Sequence, residues 1–438
     1  MKNIDNIDIC KIFFIVLSLV FTVKIGLSNE IKNITKIGLW SGGTELRGVN
    51  IYQRRVYPEL DDGLLGDKAV GPVYTVDDFL KLRASGVNFV NISHPGIFTE
   101  NPPYVVDKEI LANLERLLRM IKDADMFAVI SFRTGPGRSE FTFFYGEDYE
   151  SDPDDGWFDK SYYNEKVWTD RKAQQAWVDM WKQTAEYFKD NPVVVGYDLM
   201  VEPNSNGVLL DIWKPSEFYP KYKGTTYDWN TIYPDIVDAI RSVDSDTPIL
   251  IQSLSYGDIP WLKYMTILDD KKIVYTIHHY EPFVYTHQTE DSFKGYPGFY
   301  DIDYDGQSDN FNKEWLEKYL AEIRNFKEEN NVITSINEFG AVRWAPSVAL
   351  FIGDNFKLFE KLGVNNAIWM WYPSMWLREP MASMFSDFNF LFGPNPNNFI
   401  EIENDFYEVL KKYWGKNRYF PSNIRFISGK KKKGGIRR

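Results

Sequence analysis

Cysteine is nearly absent: the 438-residue chain has one, Cys10, inside an apolar N-terminal stretch. That count excludes a disulfide framework and a thiolate metal site. Histidine is almost as scarce. His94, His278, His279 and His287 are the full set, and none stands in the HExxH spacing that puts two imidazoles on one helix face. No metal and no other cofactor is expected. Positive charge is also in deficit, with 50 Lys and Arg against 62 Asp and Glu, a net charge of -12. Such a chain repels a phosphate backbone, which argues against nucleic acid as its partner, while a neutral substrate suits it. No low-complexity linker divides the chain, and no repeat with a period of roughly 20–50 residues runs through it, so one domain is expected between its two ends.

The ends differ from the rest. Residues 12–23, IFFIVLSLVFTV, form one apolar run preceded by Lys2 and Lys11, and Gly26 and Ser28 follow in a small-x-small pattern. The run is short against the roughly 20 residues of a membrane span. Residues 1–28 therefore read as a signal peptide, which makes the protein secreted with Asn29 as its first residue; the alternative is an uncleaved anchor. Residues 429–438, GKKKKGGIRR, read as a basic disordered tail. Residues 29–428 remain for the folded domain.

Across that span, short apolar runs alternate with longer amphipathic ones. Candidate strands are 45–52, 87–93, 127–133, 193–203, 248–254, 273–280, 332–339 and 366–371, all rich in Val, Ile, Phe and Tyr. Several are apolar on both faces, as a parallel strand covered on both sides must be. Residues 109–122, 171–189 and 313–327 carry apolar stripes at helical spacing. Gly86, Gly363 and the Asn330–Asn331 pair punctuate the returns from helix to strand. Eight β-then-α units predict an α/β fold, the closed (β/α)8 TIM barrel. The alternative is an open doubly wound sheet, against which the first strand lacks a GxGxxG turn.

In a barrel, functional groups stand at the C-terminal ends of the strands. Asn50, His94, Arg133, Glu202, His278, Tyr280, Glu338 and Trp371 occupy such positions. Glu202 and Glu338 follow very apolar segments, where a carboxylate buried without purpose would be costly. Closure of the barrel brings strands four and seven to one mouth. A pair of carboxyl groups about 5–5.5 Å apart is the equipment for glycoside hydrolysis with retention: one protonates the leaving oxygen and the other attacks the anomeric carbon. Glu202, beside Met200 and Val201, is expected to have a raised pKa. Glu338, within reach of Tyr280 and Arg133, is expected to have a lowered one.

ELRGVN on the first strand, Glu-Pro after the fourth, HHYEPFVYTHQ at the sixth and NEFG at the seventh together resemble family 5 glycoside hydrolases, cellulase-like members of the retaining (β/α)8 glycosidases. The resemblance covers roughly residues 45–375. It implies Glu202 as acid/base, Glu338 as nucleophile, and His278 and Tyr280 as their partners beside the substrate. It also implies an indole at strand eight as the sugar platform. Trp369 and Trp371 alternate onto one side of that segment, and Trp371 is nearer its end. Three positions depart from the family pattern. Val201 stands where an Asn usually bonds the sugar 2-hydroxyl, Asn91 replaces the usual Arg of strand two, and Arg133 the usual His of strand three. Arg133 then either reaches the substrate or makes an ion pair only. The expected partner is a β-linked polysaccharide or oligosaccharide. EPFVYTHQ leans towards β-glucan, and the loops 134–168 and 281–312 should rim the cleft. No protein partner is implied, and a monomer is expected. The alternative function is a carbohydrate-binding barrel that has lost catalysis.

Overall fold

The computed structural model describes residues 31–143, 158 and 160–427. The expected signal peptide, the basic tail and part of the 134–168 loop lie outside the described residues. Eight parallel strands form the centre: β1 (Arg47–Tyr52), β2 (Phe89–Pro95), β3 (Phe127–Thr134), β4 (Val194–Asp198), β5 (Ile249–Gln252), β6 (Ile273–His279), β7 (Ile333–Phe339) and β8 (Asn365–Ile368). Each pairs with the next in parallel, and β8 returns to β1 through Asn366↔Arg47 and Ile368↔Val49. That last pairing closes the barrel and excludes the open sheet.

Helices follow the strands: α1 (Val76–Ala84), α2 (Lys108–Asp123), α3 (Arg171–Phe188), α4 (Tyr233–Arg241), α5 (Lys313–Asn330), α6 (Val348–Leu362) and α7 (Asp405–Trp414). The β5-to-β6 connection is the exception, with two short turns, Leu254–Gly257 and Ile259–Tyr264. The helix ends follow from local chemistry. Asp107 caps α2 by accepting from the amides of Glu109 and Ile110, and its stripe of Ile110, Leu114, Leu117, Leu118 and Ile121 is buried. α5 stops at Asn331 with φ 51°, and α6 at Gly363 with φ 62°, the left-handed cap that releases the chain towards the next strand.

Strand alternation sorts the barrel into layers. Val49 and Ile51 of β1, Val90 and Ile92 of β2, and Ile249 and Ile251 of β5 join the core between strands and helices. Phe89, Phe127, Val129, Val195, Leu250, Val274 and Ala367 pack with Trp40, which plugs the bottom of the barrel and donates its indole N–H to Val195 O. Above them lies a polar belt. Asn91 Nδ2 donates to Asn50 Oδ1 at 2.6 Å, and Asn50 Nδ2 to the Asn337 carbonyl at 3.1 Å. Asp198 Oδ2 accepts from both Gln252 Nε2 (2.8 Å) and Asn337 Nδ2 (2.7 Å). The ends of β1, β2, β4, β5 and β7 are thus tied to one another one layer below the mouth, where unpaired polar groups would be costly.

Candidate active site

β4 ends at Asp198, and the chain runs on through Leu199, Met200 and Val201 to Glu202. Glu202 has φ 53°, the left-handed region that residues with a side chain seldom adopt. Holding it there costs on the order of 1–3 kcal/mol, so the surroundings must enforce it. They do so from both sides. The Glu202 amide donates to Gln252 Oε1 at 2.9 Å, and its carbonyl accepts from Arg138 Nη2 at 2.6 Å. Arg138 also donates to Val201 O at 2.7 Å. It reaches them from the Gly-Pro-Gly-Arg turn after β3 and is fully buried, and that burial together with the Arg133 charge lowers its pKa to about 9.

Glu338 is placed by a different device. β7 pairs Ile336 with Ile277 and then Glu338 with His278, a register shift of one residue. The bulge breaks alternation, so neighbouring residues both turn inward: Asn337 down to Asp198, and Glu338 up to the mouth. Tyr280 donates its hydroxyl to Glu338 Oε1 at 2.6 Å. His278 Nδ1 lies 2.9 Å from Glu202 Oε1 and 3.7 Å from Glu338 Oε2. One side-chain acceptor atom from each of the three falls within 4.8 Å of the others. The glutamates are therefore a facing pair, with the Glu202 side chain 15% exposed and Glu338 6%.

The electrostatics reverse one expectation. Burial pushes the Glu202 carboxyl up, but the hydrogen bond and charge of His278, with the guanidinia of Arg133 and Arg138, outweigh it and leave its pKa lowered. Glu338 is raised, by burial first and by the Glu202 charge, against the pull of His278 and Tyr280. The expected order was the opposite. The reason is positional: the imidazole sits closer to Glu202 than to Glu338, which no spacing in the chain reveals. Burial acts to lower His278, yet Glu338, Glu202 and Asp198 around it raise its pKa. The other histidines differ. His94, bonded to Asn113, and His279, bonded to Asn355, are buried structural groups lowered to about 4. His287 is lowered to about 4 as well, and stacks on Phe283 with ring centres 4.0 Å apart.

Arg133 points into the mouth, but its hydrogen bonds among the described residues go to Glu140, at 2.8 and 3.0 Å. Its charge reaches both glutamates without a bond to either. Asn50 and Asn91 belong to the belt beneath the site, and Val201 is buried beneath the turn.

Trp371 needs correction. It is 1% exposed, packed against Phe390 and accepting the Tyr74 hydroxyl at its carbonyl, outside the cleft. Trp369 is half-buried, donates its amide to Phe339 O at 2.7 Å, and meets Tyr52 edge-on. β8 ends at Ile368, so its alternation does not extend to these residues; the Trp369–Met370 peptide bond is cis. Trp369 is the indole beside the site. Sequence reasoning also missed Glu140, Arg138, Gln252 and Asp198. The arginine of GPGR just past a strand end was the available signal for Arg138.

Among the described residues, two groups have the spacing to hold a metal ion: Glu202–His278–Glu338, and Asp301–Asp303–Asp305 on a turn of the β6-to-α5 connection.

A model of the family described as Cellulase (glycosyl hydrolase family 5) matches residues 65–374. Endoglucanase C of Acetivibrio thermocellus is 25% identical over 230 residues, which is 46% of this chain and 61% of that protein. The match thus spans about three fifths of that relative. An endoglycoceramidase of Cyanea nozakii is 36% identical over 83 residues, 18% of this chain and 15% of that protein. Among solved structures, the endoglucanase Cel5A of Thermotoga maritima superposes with a TM-score of 0.57 at 18% identity, covering 86% of this chain and all of that one. At that identity the likeness speaks for the fold.

Proposed function

The chain belongs to glycosyl hydrolase family 5, and from that premise we propose that it cleaves the O-glycosidic bonds of a β-linked polysaccharide with retention of configuration. The observation that carries the proposal is the facing pair Glu202 and Glu338. Their carboxyl oxygens come within 4.8 Å. Inverting enzymes hold their carboxyls about 6.5–9.5 Å apart to admit a water, whereas direct attack by the second carboxylate needs about 5–5.5 Å.

In this reading Glu338 attacks the anomeric carbon while Glu202 gives its proton to the departing oxygen. Glu202 then takes a proton from the water that releases the sugar. The roles follow the family resemblance of the two strand ends. Burial and the neighbouring charges lower the Glu202 pKa and raise that of Glu338, the opposite of the order these roles call for, and His278 offers the means to change this. The 2.9 Å contact between His278 Nδ1 and Glu202 accommodates the proton on either partner. Transfer from Nδ1 to Glu202 makes the acid, and a developing positive charge on the sugar ring favours an ionised Glu338. Tyr280 stabilises that carboxylate before attack and again when it is expelled. Trp369 supplies the apolar face for the sugar. Val201 has no polar side-chain atom, so the usual amide contact to the 2-hydroxyl is missing.

β-Glucan is the proposed substrate class. Endoglucanases are among the relatives, and Thermotoga maritima Cel5A has been solved with cellobiose and with mannotriose. The test is proton NMR of the first product formed from soluble β-glucan. The β-anomer appearing before mutarotation supports the reading. The α-anomer would contradict retention, and no product from glucan or mannan would favour a binding barrel.

A further inference from the structure

Arg138 is a buried cation whose hydrogen bonds all go to neutral oxygens. Nη1 donates to Arg133 O at 3.0 Å and to Val201 O at 2.7 Å. Nη2 donates to Glu202 O at 2.6 Å and to Asn204 Oδ1 at 3.3 Å. Nε bonds nothing among the described residues. A guanidinium taken out of water on these terms is costly, so stability alone does not account for it. The neighbouring Arg133 adds repulsion, although Glu140 pairs with that one. Both guanidinia lie over the Phe143 ring, with Cζ 3.6 Å (Arg133) and 4.6 Å (Arg138) from its centre.

The Gly-Pro-Gly-Arg turn delivers this side chain rigidly. Gly135 and Arg138 exchange backbone hydrogen bonds, at 3.0 and 2.9 Å. Gly137 has φ 68°, and a Cβ on it would meet Ala173 Cβ and Val167 N at 2.8 Å, so the turn is pressed against the start of α3. From there the planar fork spans the left-handed turn at Glu202, from the Val201 carbonyl to the Asn204 side chain. Gln252 closes the turn from the far side, and Asp198 orients Gln252 by accepting from its Nε2.

Among the opposite charges near Arg138, that of Glu202 acts on it most strongly; Tyr256 and Glu140 act less. Arg138 in turn helps to lower the Glu202 pKa. The other charged or titratable groups facing Glu202 are Arg133 from β3, His278 and Tyr280 at the end of β6, His287 beyond them, and Glu338 from β7.

We propose that Arg138 is a positioning residue for proton donation: it locks the turn that aims the Glu202 carboxyl and steadies the carboxylate that donation leaves behind. The inference rests on the proposed hydrolytic reading. As the glycosidic C–O bond breaks, Glu338 bonds the anomeric carbon, the Glu202 proton passes to the departing oxygen, and one negative charge remains on Glu202. Arg138 bonds no oxygen of that carboxyl. It acts through the backbone that carries the group and through its own charge.

The experiment measures kcat/KM for wild type, Arg138→Met and Arg138→Lys on dinitrophenyl, nitrophenyl and phenyl β-cellobiosides. Dinitrophenolate leaves unaided, whereas phenol needs a proton, so a misaimed acid shows on the poor leaving group. Methionine keeps the buried bulk without donor or charge. It should lose roughly 10- to 100-fold more on the phenyl than on the dinitrophenyl glycoside. With the charge gone the Glu202 pKa rises, so the basic limb of kcat/KM on the phenyl glycoside should move to higher pH. Lysine, which keeps a charge but not the planar fork, should recover part of the loss, and carries the same comparison if the methionine variant does not fold. Equal losses on all the glycosides, no loss on any, or an unmoved basic limb would overturn the proposal. If wild type turns over none of them, the hydrolytic reading fails, and NMR titration of isotope-labelled glutamate carboxyls decides whether Arg138 governs the Glu202 proton. The Glu202 pKa must then rise in the methionine variant, and an unchanged value overturns the proposal.

Discussion

Tyr280→Phe removes one oxygen and keeps the ring that lies edge-on to His287 and Phe388. The oxygen donates the 2.6 Å hydrogen bond to Glu338 Oε1. With the Glu338 side chain only 6% exposed, water cannot readily take over the bond. A hydrogen bond to a charged group is worth roughly 1.5–3 kcal/mol, or roughly a 10- to 150-fold loss in kcat/KM if it is fully expressed in the transition state. The sign on pH is fixed by the donor. Tyr280 favours the ionised form of Glu338 and so opposes the upward push of burial. Without it the Glu338 pKa rises further, by about one unit for each 1.4 kcal/mol lost. The nucleophile works only when ionised, so the acid limb of kcat/KM should move to higher pH. The assay is the pH dependence of kcat/KM on an aryl β-cellobioside for wild type and variant. An acid limb in its original place, with activity within about twofold of wild type, would refute the assignment of Tyr280 to the nucleophile.

Three further substitutions have outcomes that the structure sets. Trp371→Ala should destabilise the protein by about 3–5 kcal/mol in urea unfolding, as large buried rings do, with kinetic constants little changed in the folded variant. Trp369→Ala should instead raise KM or lower kcat/KM at nearly full stability; the reverse pattern would restore Trp371 as the platform. Asp198, pushed up to about 7 chiefly by burial, binds its proton more tightly folded than unfolded. Its stabilising contribution is thus complete below the unfolded value near 4 and is lost as pH rises towards about 7. Asp198→Asn should remove that slope, a difference of up to roughly 4 kcal/mol between the two pH limits, and parallel stability–pH curves for wild type and variant would exclude it.

Strand order was legible because each parallel strand is covered on both faces and therefore reads as an apolar run. Its ends were less so. Residues 199–201, 370 and 371 remain apolar because they are buried in connections, and the half-buried Trp369 is apolar too, so composition continues smoothly past Asp198 and Ile368, where the ladder stops. The misplacement of Trp371 is that effect carried onto a side chain. The meeting of Glu202, His278, Tyr280 and Glu338 was legible, because a closed barrel brings all its strand ends to one rim. Glu140 was not, and Arg138 was marked only by GPGR just past the strand end, since both lie on a turn beyond β3 whose path depends on tertiary contacts. The proton order was hidden for a similar reason. It depends on whether one imidazole lies 2.9 or 3.7 Å from a carboxylate, and two residues 76 and 60 positions from His278 carry no sequence signal of that difference.

The central claim is the division of labour between two glutamates whose resting electrostatics run against it. Azide rescue tests it most directly. On an activated aryl β-cellobioside, Glu202→Ala should be rescued by azide to give the β-cellobiosyl azide, because the nucleophile Glu338 survives and azide replaces water in the second displacement. Glu338→Ala should give the α-azide, by direct attack on the opposite face. The α-azide from Glu202→Ala and the β-azide from Glu338→Ala would contradict the account and exchange the two roles.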